Sequence, residues 1–119
     1  MACIRHFDSA ILNVMSDLNV RACSPQEIDS WCEFLNRNFG YEAPDSYAVD
    51  FAPLFTQAAL PRSRLAWDGT RIVSSATLYP VTAIIKGIEV RLGVIGAVAT
   101  DEASRGLGLS TKIIDELEQ

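Results

Sequence analysis

The segment that most constrains the fold is a strand, a glycine-containing turn and a helix that follow one another late in the chain. An apolar stretch at residues 94–100 leads through a short polar turn to Gly106 and Gly108, and residues 107–117 then have the apolar spacing of a helix. Glycines let backbone N–H groups face a ligand, and the first turn of a helix adds unpaired N–H donors at the positive end of its dipole. The segment therefore predicts a site for a phosphate or pyrophosphate.

Two β-hairpins are predicted before this segment. Asp68-Gly69 and Lys86-Gly87 are turn dipeptides between stretches typical of strands. The last strand contains Gly93 and Gly96, which weaken a strand and therefore indicate a bulge or the close approach of another molecule. The predicted strand pairs are residues 64–67 with 71–79 and residues 81–85 with 88–100.

A helix is predicted over residues 25–39, after a short strand at residues 20–23. Ser24 and Glu27 have the spacing of a capping box, and Pro25 occupies the favourable first helical position. Gly40 supplies the stop signal. The apolar face includes Trp31, which we expect in the core. This face comprises Ile28, Trp31, Cys32, Leu35 and Phe39.

Residues 41–61 contain three prolines, which interrupt any long helix. A short helix is plausible at residues 46–52 or at 54–59. Two interpretations of the aromatic side chains in this region stay open. They pack over the sheet edge, which is the interpretation we favour, or they form a wall of a substrate cleft. These side chains are Tyr41, Tyr47, Phe51 and Phe55.

Residues 1–18 differ from the body of the chain at residues 19–119 and predict a leading helix or an extension. Cys3 and His6 have the spacing of half a zinc site, but no second pair follows, so we expect no metal. We expect Cys3 in a flexible tail and Cys32 as a small buried side chain. Three cysteines are too few and too oddly spaced for a disulfide framework.

Charge excludes one class of partner. Ten Lys and Arg against fifteen Asp and Glu give a net charge of −5, which is unfavourable for sequence-independent nucleic-acid binding. No apolar run is long enough to span a bilayer, and the N-terminus lacks the apolar core of a signal peptide. The sequence thus predicts a cytoplasmic protein with no membrane partner.

The glycine segment fits neither of the familiar nucleotide loops, since it lacks the Gly-Lys-Ser/Thr triplet and the three spaced glycines of a dinucleotide fold. Arg105-Gly106-Leu107-Gly108-Leu109-Ser110 instead resembles the acetyl-CoA signature Gln/Arg-x-x-Gly-x-Gly/Ala of the GCN5-related N-acetyltransferase (GNAT) superfamily. Serine stands at the last position, where the family has another small residue. The order of elements over residues 19–119 is also similar to the front part of that fold.

The resemblance implies an α/β (α+β) fold with a mixed, mostly antiparallel sheet flanked by helices. A full domain of the family continues with further strands after the signature helix. The given chain ends inside that helix. The strand at residues 94–100 is then expected to form an exposed edge, which invites pairing with another chain. Two interpretations stay open, a truncated form of a longer enzyme and a short protein that completes its sheet as a homo-oligomer.

The resemblance also implies the site residues. Backbone N–H groups of Arg105, Gly106, Leu107, Gly108, Leu109 and Ser110 would bind the pyrophosphate of coenzyme A. The backbone of Val98, Ala99 and Thr100 would pair with the pantetheine arm as an added strand. The catalytic acid and base are unassigned. Glu89 is a candidate base, although a solvated charge paired with Arg91 is the favoured interpretation.

The implied function is transfer of acetyl from acetyl-CoA to a primary amine by direct attack, either by this chain or with this chain as the cofactor-binding part. The alternative is a non-catalytic acyl-CoA-binding or interaction module. The acceptor is expected to be a small-molecule or peptide amine, and the acidic balance of the chain mildly favours a cationic one.

Overall fold

Four strands form one antiparallel sheet in the order β1-β2-β3-β4. The computed structural model describes residues 18–106 and 108–117, so the predicted leading helix lies almost wholly outside the described residues, as do Cys3 and His6. The strands are β1 (Asn19–Arg21), β2 (Ser63–Asp68), β3 (Arg71–Ile85) and β4 (Ile88–Thr100). The helices are α1 (Ile28–Phe39), α2 (Tyr47–Asp50) and α3 (Leu109–Leu117). The predicted antiparallel sheet flanked by helices is confirmed.

Helices cover both faces of the sheet. On one face, α1 and α2 pack over a core that includes Trp31, which is fully buried as predicted. On the other face, α3 packs over small residues of β2 and β3. This second core consists of Ala66, Val73, Ala76, Leu109, Ile113 and Leu117. Because successive strand residues point to opposite faces, Leu65 and Ala66 belong to different cores.

The first helix follows its sequence signals closely. Ser24 and Glu27 form the predicted capping box, in which the Glu27 carboxylate accepts a hydrogen bond from the Ser24 N–H at 3.1 Å. The first turn is a 3₁₀ helix, and α1 ends at Gly40, whose φ of +73° suits glycine. The prediction that Cys32 is buried was wrong, because Cys32 is only partly buried, whereas Cys23 is buried.

One strand replaces the two that the sequence predicted on either side of Pro80. β3 runs without a break, since it keeps its pairing with β4 on one side. The pairing of β3 with β2 stops at Thr77, which pairs with Ser63, the first residue of β2, so β3 has no partner on that side at Pro80. Proline is tolerated on such an edge because its missing N–H costs no ladder bond there. The predicted turn at Lys86-Gly87 is confirmed, with positive φ at both residues.

A β-bulge interrupts β4 shortly before its end. Ser75 pairs with Ala99 and Thr77 pairs with Gly96, so two residues of β4 lie opposite one residue of β3. Ala97 is one of the two, and its φ of +52° is unusual for a residue with a side chain. The bulge predicted from the strand glycines is therefore present, one residue beyond Gly96.

Candidate functional site

The bulged end of β4 lies at the edge of the sheet that the structure describes. Its partner β3 holds it with two buried serines as well as with ladder hydrogen bonds. The Ser75 hydroxyl donates to the Ala97 carbonyl at 2.8 Å, and the Ser74 hydroxyl donates to the Ala99 carbonyl at 3.0 Å. The other edge of β4 has no strand partner within residues 18–106 and 108–117. Its backbone groups are therefore available to an added extended segment.

The glycine loop follows directly. Gly106 and Gly108 have φ values of +87° and +74°, which other residues adopt only with strain. A Cβ built on either glycine would meet no atom within 4 Å. The loop therefore opens onto free space, and glycine is required here by its backbone conformation. The Arg105 side chain folds back, and its Nε donates to the Thr100 carbonyl at 3.1 Å.

A chain of hydroxyl groups joins the strand to the start of α3. The Thr100 hydroxyl lies 2.8 Å from the hydroxyls of both Ser74 and Ser110. The side chain of Leu109 is buried in the core beneath α3, so the helix start is fixed from both sides. The Lys112 N–H donates to the Gly108 carbonyl at 3.1 Å, which leaves the N–H groups of the first turn without helical partners.

A charged anchor holds the beginning of the loop. The side chain of Asp101 is 8% exposed, and its oxygens accept hydrogen bonds from Arg37, Asn38 and Arg71 at 2.9–3.4 Å. Its N–H donates to the Val73 carbonyl at 2.8 Å. Burial alone raises the pKa of Asp101, but hydrogen bonds from Asn38, Arg37 and Arg71 outweigh burial and hold this pKa below its usual value.

A polar hollow of about 660 Å³ lies beside this anchor. It contains three arginines, two of which are paired with Asp101. Arg105 is in no ion pair of the described residues, so it can contribute positive charge to a ligand at the loop. The lining residues are Arg37, Asn38, Arg71, Asp101, Glu102, Ala103 and Arg105.

On the other side of the bulge lies an apolar cavity of about 420 Å³, which the sequence analysis did not identify. We call it the aromatic cavity, and its lining consists of Tyr47, Asp50, Phe51, Pro53, Leu54, Tyr79, Val94, Ile95 and Gly96. Tyr47 is buried and packs in the core as expected, while Phe51 stacks on it with ring centroids 4.4 Å apart. The favoured packing interpretation agrees with these contacts, and Tyr47 and Phe51 also line the cavity, whereas Tyr41 and Phe55 do not. That the cavity is a substrate cleft stays a prediction.

Burial raises the pKa of Tyr47, and hydrogen bonding with the Ala97 backbone offsets this only in part. The phenol therefore stays protonated at neutral pH. Tyr47 therefore brings a neutral phenol to the lining of the aromatic cavity.

Glu89 is poorly placed for a catalytic role. It lies eight residues before Ala97, or about 26 Å along an extended strand, near the tip of the β3–β4 hairpin. The favoured ion pair with Arg91 is also absent from the part of the chain that the structure describes. A carboxylate that lines the same cavity as Gly96 is that of Asp50, which no sequence pattern marked.

The predicted cofactor residues follow one another along the end of β4, the glycine loop and the start of α3. Val98–Thr100 form the free strand edge, and Arg105, Gly106, Gly108 and Ser110 form the loop and the start of α3. Leu109 contributes only its backbone because its side chain is buried. Leu107 lies outside the described residues.

A family model described as an acetyltransferase (GNAT) domain matches residues 19–119. The chain belongs to the GNAT acetyltransferase family. The comparison with curated proteins found no match.

Solved structures of acetyltransferases resemble this GNAT chain. A GCN5-related N-acetyltransferase from Kribbella flavida matches 84% of the chain with 18% identity and a TM-score of 0.64. A Trypanosoma brucei acetyltransferase matches 84% with 27% identity and a TM-score of 0.58. A predicted acetyltransferase from Clostridium acetobutylicum, solved with acetyl-CoA, matches 84% with 20% identity and a TM-score of 0.66.

This GNAT chain spans different shares of its structural relatives. It covers 26% of the Kribbella flavida chain, but 71% and 70% of the Trypanosoma brucei and Clostridium acetobutylicum chains. It covers 25% and 34% of two others, from Enterococcus faecalis V583 and Pyrococcus horikoshii. No helix among the described residues is long and apolar enough to cross a membrane.

Proposed function

We propose that the chain is an acetyl-CoA-dependent N-acetyltransferase, or the cofactor-binding part of one, which transfers acetyl to a primary amine by direct attack. One observation carries the proposal. The bulged free edge of β4 leads straight into an open glycine loop and the start of α3, and the aromatic cavity lies on the other side of the bulge. A cofactor and an acceptor could therefore meet at Ala97.

The residues of the loop fit the pyrophosphate of coenzyme A. Gly106 and Gly108 hold the backbone in a conformation that leaves open space in front of it, and a side chain at either position would occupy that space. N–H groups of Arg105–Ser110 would donate to the phosphates, since oriented backbone donors and the helix dipole favour an anion. The chain carries a net charge of −5, so local groups such as Arg105 and Lys112 must supply the positive charge.

The pantetheine arm would lie along Val98, Ala99 and Thr100 as an added strand. Acetyl-CoA supplies the acetyl group as a thioester, and attack by the amine forms a C–N bond while the C–S bond breaks. The amine loses a proton, and the thiolate takes one up. Tyr47 lines the aromatic cavity, and the Ser75 hydroxyl holds the Ala97 carbonyl at the bulge.

Calorimetric titration with acetyl-CoA, coenzyme A and ATP tests the proposal. We expect both coenzyme A species to bind and ATP to bind far more weakly. The variant Gly106→Val should weaken coenzyme A binding at least about tenfold, because a side chain would block the approach to the backbone. Gly87→Val is the matched control, since Gly87 also has a positive φ and open space but lies at the distant hairpin tip.

Equal affinity of wild type and Gly106→Val would refute the loop as the cofactor site. A catalytic role needs a second measurement, the release of thiol from acetyl-CoA across a panel of primary amines. Cofactor binding without thiol release would instead support a non-catalytic acyl-CoA-binding module. The cytoplasmic location and association through the β4 edge stay predictions, the latter checked by light scattering.

A further inference from the structure

The aromatic cavity has a composition that restricts its ligand. Its walls are aromatic rings from α2 and β3 and aliphatic side chains from β4, and Asp50 is the one charged residue in its lining. A ligand rich in hydroxyls would leave polar groups unpaired against these walls, which costs binding energy. The cavity volume of about 420 Å³ lies within the usual range for small-molecule sites. The body of the ligand should therefore be apolar.

Asp50 is held in place but is not neutralised. Its Oδ2 accepts a hydrogen bond from the Tyr41 hydroxyl at 2.7 Å. That bond raises the pKa of Tyr41, because the neutral phenol is the better donor to a carboxylate. Asp50 takes part in none of the three ion pairs of the described residues.

The surroundings of Asp50 are also acidic. The hollow next to the aromatic cavity shares Asp50 and adds Glu42 and Asp45. No Lys or Arg lines either hollow. An incoming cation therefore meets a negative potential with no competing positive side chain in these linings.

Asp50 and the end of the strand segment before the bulge line the same cavity. Asp50 is the last residue of α2, which begins at Tyr47, and both residues line the aromatic cavity. Gly96 lines the cavity beside the bulge. An amine held beside Gly96 and a cation paired with Asp50 would thus share one cavity with its apolar side chains.

We propose that the acceptor is a primary amine on an apolar chain that carries a second positive charge, as in an aliphatic diamine. This inference rests on the proposed function. The second ammonium group pairs with the Asp50 carboxylate, the chain lies against Phe51 and Tyr79, and the first amine reaches the thioester at Ala97. The reaction joins that amine to the acetyl carbon as an amide and releases the thiol of coenzyme A, while the second ammonium is unchanged.

Three probes separate the two parts of this proposal. 1,5-Diaminopentane carries two cations on an apolar spacer, and 1-aminopentane has a matching chain with one. Bis(2-aminoethyl) ether has two cations and the same length, but its spacer is polar. Titration of the protein saturated with coenzyme A should give about fivefold tighter binding of 1,5-diaminopentane than of either other probe.

The variant Asp50→Asn keeps an acceptor for Tyr41 and removes the charge. It should reduce the preference of 1,5-diaminopentane over 1-aminopentane to less than about twofold. Asp29→Asn makes the same charge change at an exposed position of α1 outside the cavity and should leave that preference intact. Melting temperatures of both variants should match the wild type, because both residues are exposed.

Equal binding of diamine and monoamine by the wild type would overturn the role of Asp50. Equal binding of the two diamines would overturn the apolar spacer. The same titrations are carried out without coenzyme A, because the cavity is formed by residues of this chain alone. Loss of coenzyme A binding with a retained diamine preference would refute the proposed function and leave the cavity assignment standing.

Discussion

The two sides of the β4 bulge differ in the side chains that surround them: polar and charged groups lie on one side, and aromatic and aliphatic groups on the other. Towards the glycine loop, the chain is fixed by hydroxyls and charges, with Thr100 between two serines and Asp101 between three donors. Towards the aromatic cavity, its surroundings are the stacked rings of Tyr47 and Phe51 and aliphatic side chains, with Asp50 as the one charged residue of the lining. The loop end exposes backbone groups, whereas the cavity end exposes side chains.

Under the proposed function, this difference means that the loop recognises phosphate groups in general, whereas the cavity selects one kind of acceptor. Backbone N–H groups bind any phosphate of suitable shape, so the loop requires only glycines and a rigid support. Side chains decide which molecule fits the cavity, so its selectivity changes with single residues. Substitutions at the loop end should therefore affect stability and cofactor binding, while those at the cavity end should affect the choice of acceptor.

The largest effect is expected at the loop anchor. Asp101→Asn removes the charge that pairs with Arg37 and Arg71 and should lower the free energy of unfolding by about 2 kcal/mol at pH 7. The full cost of breaking a buried pair is not expected, because the two arginine side chains are 45% and 65% exposed and return partly to water. Urea unfolding measures the loss, and Asp68→Asn, at an exposed turn, is the control.

The pH dependence distinguishes loss of charge from loss of packing. The pKa of Asp101 is lower in the folded protein than its ordinary value of 3.8, so its ionised form stabilises the fold. That contribution is complete well above pH 4 and is lost as the pH falls through the folded pKa. The gap in stability between wild type and Asp101→Asn should thus narrow below about pH 4. An equal gap at pH 3 and pH 7 would contradict the electrostatic explanation.

A smaller effect is expected at the cavity end, where two rings stack on Tyr47. Phe51 and Phe39 are similarly exposed, at 44% and 47%, and lie 4.4 Å and 5.2 Å from Tyr47 between ring centroids. Replacing either with Ala should cost about 1 kcal/mol of stability. Only Phe51 lines the aromatic cavity, so only Phe51→Ala should weaken binding of 1,5-diaminopentane, and neither should change coenzyme A affinity. Equal amine binding by both variants would exclude the ring as a wall of the acceptor site.

The loop end was largely readable from the sequence, and the cavity end was not. Gly106, Gly108 and the α3 pattern are local signals, since they act within a few residues along the chain. The aromatic cavity joins α2 to β3 and β4, and a sequence alone gives no distance between such segments. Tyr47 and Phe51 were recognisable as a cluster, but Asp50 became a candidate only when Gly96 was placed opposite it.

The same reason explains the errors in the fold. From the sequence alone, Pro80 predicts a break in the strand. Proline is tolerated there because the pairing of β3 with β2 stops at Thr77, which only the assembled sheet shows. Cys32 has apolar spacing within α1, but packing leaves it partly exposed while Cys23 is buried. Capping and turn signals such as Ser24 and Lys86-Gly87 gave the right elements because their hydrogen bonds and φ values are local.

The smallest effects are expected from the two glycines of β4, Gly93 and Gly96, of which only Gly96 lines the aromatic cavity. A methyl group at Gly96 would make an ordinary 3.7 Å contact with Leu54, so Gly96→Ala should raise stability by about 0.5 kcal/mol through reduced freedom of the unfolded chain. At Gly93 a methyl group would come within 2.8 Å of Leu78, whose side chain must move, so Gly93→Ala should lower stability by about 0.5 kcal/mol.

Urea unfolding of both glycine variants, repeated in a Leu78→Ala background, measures these changes in stability. The cost at Gly93 should vanish in that background, and because Gly96 alone of the two lines the aromatic cavity, only Gly96→Ala should alter diamine binding. A cost at Gly93 that persists without the Leu78 side chain would place the conflict in the strand backbone and not in packing.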